Sequence, residues 1–127
     1  MILPTWAVVV LVFTLLPSIT GYKRVEGWPV LRVEEHIVST EVMGDACAPE
    51  TEECPGSIAF GCAHFYFDEG VCRIYVSYEN PSWRNVLEHE REHCAGKDHW
   101  IQPLTCRGKS MGELLQEWQA SRRSKAH

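Results

Sequence analysis

Between Asn80 and Gly96 both ends of a helix are written into the sequence, and the residues between them leave few alternatives. Asn80 is a good N-cap, Pro81 suits the first helical position because its missing N–H would be unpaired there anyway, and Gly96 suits the position just past the last turn. The pattern predicts a helix from Pro81 to Ala95. At about 100° per residue, Trp83, Val86, Leu87 and Cys94 form one apolar arc with His89 and His93 along its edge, and Glu90 falls inside it. Arg84, Asn85, Glu88, Arg91 and Glu92 take the opposite, solvated side. A carboxylate on a core-facing surface is costly unless compensated, so Glu90 calls for a partner there and Glu92 does not.

Two histidines at i and i+4 project one turn apart on the same side, so the imidazoles of His89 and His93 can reach a single metal ion. Gly96 lets the chain leave the helix in a left-handed conformation, and His99 then comes back toward the same ion. Three protein ligands with a fourth position left for water is the coordination of a catalytic zinc, one Zn2+ per chain, rather than of a closed structural site. The other histidines, His36 and His64 in predicted strands and His127 at the terminus, are expected to be structural or solvated.

The rest of the 127 residues is read around this helix. Trp6 to Leu16 is an apolar run of signal-peptide length, broken by Pro17 and Ser18, so residues 1–21 read as an export signal cut near Gly21, with an uncleaved membrane anchor as the alternative. The domain is then 22–127. Its six cysteines, Cys47, Cys54, Cys62, Cys72, Cys94 and Cys106, form an even set with no CxxC pair, which points to disulfides in an oxidising compartment, periplasmic or extracellular. A net charge of −5 offers no positive field to gather phosphates, which argues against nucleic acid as a partner; the basic Arg122, Arg123 and Lys125 suit a helix end.

Val30 to Val38 reads as a strand with imperfect alternation at Glu34 and Glu35, and Gly44 to Gly56 as a loop pinned by a disulfide. Ser57 to Phe67 and Val71 to Tyr78 read as a hairpin turning at Asp68, Glu69 and Gly70, with Cys72, Ile74, Val76 and Tyr78 on one face. Met111, Leu114, Leu115 and Trp118 repeat as the stripe of a C-terminal amphipathic helix. The expected fold is α+β: a small, mostly antiparallel sheet, one helix bearing the site, and a C-terminal helix.

The segment from His89 to His99, HEREHCAGKDH, matches HExxHxxGxxH at all its specified positions and resembles the zinc signature of the metzincin metallopeptidases. The resemblance covers this segment alone. It implies a minimal zincin-like domain with His89, His93 and His99 as zinc ligands, Glu90 as general base, and the strand Val71 to Tyr78 bordering a peptide-binding cleft. It also implies a methionine turn, for which Met111 is the available residue, although Met111 belongs equally to the stripe of the last helix. The reaction it implies is hydrolysis of a peptide bond in a protein or peptide, peptidoglycan cross-links included. Tyr66, Tyr75 and Tyr78 are candidates for stabilising the oxyanion. The alternative function is a non-catalytic, disulfide-stabilised zinc-binding module of the cell envelope.

Overall fold

The computed structural model describes residues 22–48, 60–99 and 109–125; the apolar run at the N-terminus, Cys54 and Cys106 lie outside them. The fold is α+β, with a three-stranded sheet in the order β2-β4-β3, where β2 is Arg32–Val38, β3 Gly61–Tyr66 and β4 Val71–Ser77. β3 and β4 form the expected antiparallel hairpin, turned by Gly70 at φ 68°, whereas β2 runs parallel to β4. A separate antiparallel pair joins β1 (Tyr22–Arg24) to β5 (Lys97–His99).

The helix that carries the histidines, α2 (Trp83–Cys94), packs on one face of the sheet. Cys72, Ile74 and Val76 of β4 are fully buried there and meet Leu87 and Cys94. The sequence reading placed Tyr78 on this face as well, but β4 ends at Ser77 and Tyr78 is exposed. Asn80 stands two residues ahead of the observed N-cap, Ser82, and its side-chain oxygen accepts the Ser82 N–H at 2.9 Å. The start signal is therefore real but is spent on the turn before the helix.

The imperfect alternation at Glu34 and Glu35 has a physical reason. The two carboxylates point to opposite faces of β2, where Glu34 accepts from Arg73 Nε at 3.1 Å and Glu35 takes a bidentate bond from Arg91 at 2.8 Å. An additional element occupies part of the expected loop: α1 (Thr40–Ala46), capped by the Ser39 hydroxyl accepting from the Val42 N–H. Met43 and Cys47 of this segment bury against Cys62, Val38 and Tyr75 on the other face of the sheet. A two-turn helix is too short for its stripe to stand out in a sequence that is also rich in turn-forming residues. Residues 49–59 of that loop lie outside the description.

Among the described residues two disulfides fix the layers. Cys47–Cys62 joins the end of α1 to β3, and Cys72–Cys94 joins the central strand to the last turn of α2. Such bridges fit an oxidising compartment, and among the described residues no helix is long and apolar enough to cross a membrane. The C-terminal helix α3 (Met111–Lys125) buries Met111 and Leu115. Its Trp118 ring stacks on Phe67 at 5.1 Å, and its indole N–H donates to Asp68 at 2.8 Å, which ties α3 to the hairpin.

Candidate metal centre

The last turn of α2 ends in Ala95 and Gly96, whose N–H groups return to the Arg91 and His93 carbonyls. Gly96 has φ 91°, the left-handed value that the sequence asked of it. A second constraint on this glycine is tertiary: a Cβ there would stand 2.5 Å from the Trp28 ring. Trp28 also donates its indole N–H to the Cys94 carbonyl at 3.0 Å, closing the helix end. It is held edge-on by Phe65 and Phe67. From Gly96 the chain runs straight into β5, and pairing with β1 brings His99 back over the helix.

His89, His93 and His99 thus converge, with one ligand atom from each lying within 4.8 Å of the others and ring centroids 4.7 to 4.9 Å apart. The Nε2 atoms of His89 and His93 are already 3.1 Å apart, close to the about 3.3 Å expected for two nitrogens on one tetrahedral zinc. His93 Nδ1 lies 2.7 Å from the Lys97 carbonyl, an acceptor only, so Nδ1 carries the proton and Nε2 presents its lone pair to the centre. Burial pushes the His93 pKa down to about 4 against the opposing pull of that carbonyl bond, with His89 and His99 lowering it further. His89 is lowered as well, by burial first and His99 second, with Glu92 opposing. Both rings are neutral at ordinary pH, as a cation requires. Three imidazoles so arranged could hold a metal ion, and the donor set suits zinc.

Glu90 is 7% exposed and lines the same cleft of about 480 Å³ as the three histidines. The helical rotation read from the sequence is therefore correct. Glu92 is half-buried rather than free in solvent, its carboxylate 2.6 Å from Lys97 Nζ. The strand bordering the cleft is not the one expected: Gly61, Ala63 and Phe65 of β3 line it, whereas β4 is the central strand, with both edges paired. Tyr66, Tyr75 and Tyr78 line no part of it among the described residues. In the register with β4, Tyr66 and Tyr75 lie on the face opposite α2; Arg73 stands over the Tyr66 ring, and Tyr75 lies between His36 and His64. His36 stacks on Tyr75 and His64 lies tilted against it, both on the face away from the cleft.

Met111 is the first residue of α3 and lies on the cleft wall, so it is at once helix core and a neighbour of the site. Asp98 is a site residue that the sequence did not mark. Its carboxylate accepts the N–H of His99 at 2.8 Å and of Met111 at 3.1 Å, which locks the third histidine to the start of α3. Only its position beside His99 hinted at this. Compared with protein-family models, curated proteins and solved structures, the chain matches none.

Proposed function

We propose that the chain is an exported zinc peptidase that hydrolyses peptide bonds at the centre formed by His89, His93 and His99. The observation that carries this reading is the buried carboxylate of Glu90 opening on the same cleft as the three imidazoles. The HExxHxxGxxH pattern, in which those residues take the roles of base and ligands in metzincins, supports it. Zinc, when bound, supplies the Lewis acidity that polarises a scissile carbonyl and lowers the pKa of water. Glu90 takes the proton of the attacking water on its carboxylate and passes it to the leaving amine. The Lys97 carbonyl holds the His93 ring in the ligating tautomer. β3 is an edge strand among the described residues, and its backbone offers an extended peptide a partner along the cleft.

Hydrolysis of a mixed peptide library by the zinc-loaded protein, beside Glu90→Gln, tests the reading. New termini should appear with the wild type and not with the variant. A wild type that binds zinc and cleaves nothing would instead be a non-catalytic zinc-binding module.

A further inference from the structure

A second cleft, about 650 Å³, opens on the other side of His99, and Asp98 and His99 line both. The two differ in character. Beyond the histidines and Glu90, the first is walled by Phe65, Met111 and Leu114, with Lys109 at its edge paired to Glu117. The second is walled by Lys23 and Arg24 of β1 and by Ser110 and Gly112 at the start of α3. Five cations among the described residues already have carboxylates: Arg32 and Arg73 reach Glu34, Arg91 reaches Glu35, Lys97 reaches Glu92, and Lys109 reaches Glu117. Among the described residues neither Lys23 nor Arg24 has such a partner. The acidic groups of the second cleft are Glu26 and Asp98, and both carboxylate oxygens of Asp98 already accept backbone N–H groups. The N-terminal end of α3 borders the same space at Ser110 and Gly112, and its dipole favours an anion there even with Glu113 in the first turn.

We propose that this cleft receives a carboxylate of the substrate, so that the favoured substrates are peptides with an acidic group on the His99 side of the scissile bond, Lys23 and Arg24 being the residues that select it. The proposal rests on the peptidase reading for the word substrate, but the carboxylate site itself does not depend on turnover. An Asp or Glu side chain and a free C-terminal carboxylate present the same chemistry.

Binding of short labelled peptides to the zinc-loaded Glu90→Gln protein, which should not consume them, separates these. The probes are alanine-rich, N-acetylated and C-amidated peptides with a single Glu walked through the sequence, each beside its Gln counterpart, and the Gln peptides again with a free C-terminus. At least one Glu position should bind about threefold to tenfold tighter than Gln. The preference should fade as salt is raised and vanish in Lys23→Gln/Arg24→Gln, two exposed positions whose change leaves zinc content intact. A preference appearing only with the free C-terminus assigns the site to a terminal carboxylate. Equal binding of all peptides, no binding of any, or a preference that survives the double variant overturns the proposal. A preference that behaves as expected in a protein whose wild type cleaves none of these peptides leaves the carboxylate site standing and removes the peptidase reading.

Discussion

Glu90 and Glu92 are two positions apart on one helix, and about 200° of rotation separates their surroundings. Glu90→Gln should keep the fold and the zinc, because the amide is nearly isosteric and is not a ligand, yet lower kcat by about 10²- to 10⁴-fold. Glu92→Gln loses its half-exposed pair with Lys97, worth at most about 1 kcal/mol, and its pull on His89, so turnover should change by less than about threefold. Equal losses in the two variants, measured on one substrate, would remove Glu90 from the mechanism. Gly96 carries a different burden. Gly96→Ala forces a side chain into a left-handed backbone costing about 1–2 kcal/mol and onto the Trp28 ring besides, so Tm and zinc affinity should fall together. His93 sets a pH dependence in the metal-free protein. Its folded pKa of about 4 lies below the ordinary 6.5, so between those values the unfolded chain binds more protons. Its contribution is complete above pH 6.5 and is lost as pH falls toward 4. Thermal melts of the chelated protein should show Tm dropping across that window, with a shallower drop in His93→Gln; parallel curves would contradict it.

At the scale of elements, the two disulfides have nearly equal entropic value and unequal places. Their loops span 15 and 22 residues, each worth about 3 kcal/mol in the chain-entropy account. Only Cys72–Cys94 anchors the turn of α2 that holds His93 and leads to Gly96. Replacing either pair by alanine should lower stability by similar amounts, but Cys72→Ala/Cys94→Ala should weaken zinc binding more than Cys47→Ala/Cys62→Ala. Competition titration against a chelator checks this, and equal affinities would mean that β4 does not position the helix end. The expected hairpin and both long helices are present, because each rests on local signals: Gly70 for a positive φ, Gly96 for a helix end, and an apolar repeat for α3. What local signals misjudged was the rank of the strands.

For the whole molecule, the apolar run before Lys23 and the bridges downstream make one prediction. The exported form should lack about residues 1–21 by intact mass, and thiol titration should find few free sulfhydryls. Retention of the full N-terminus would favour the anchor, and six free thiols in an exported sample would contradict the disulfide framework.

By itself the sequence determined the helix, the shared side of His89 and His93, and the inward turn of Glu90. All three follow from helical rotation, which needs no knowledge of the rest of the chain. It also named His99 and Gly96, since a left-handed turn favours glycine whatever surrounds it. Only the tertiary structure decided that Trp28, distant in sequence, closes the helix end, that Asp98 ties the third histidine to α3, and that β3 rather than β4 borders the cleft. A period of two tells which face of a strand is buried but not which strand lies beside it. Val71 and Ser77 are buried alongside Cys72, Ile74 and Val76 because β4 is covered on both faces at the centre of the sheet, and centrality is a property of its neighbours.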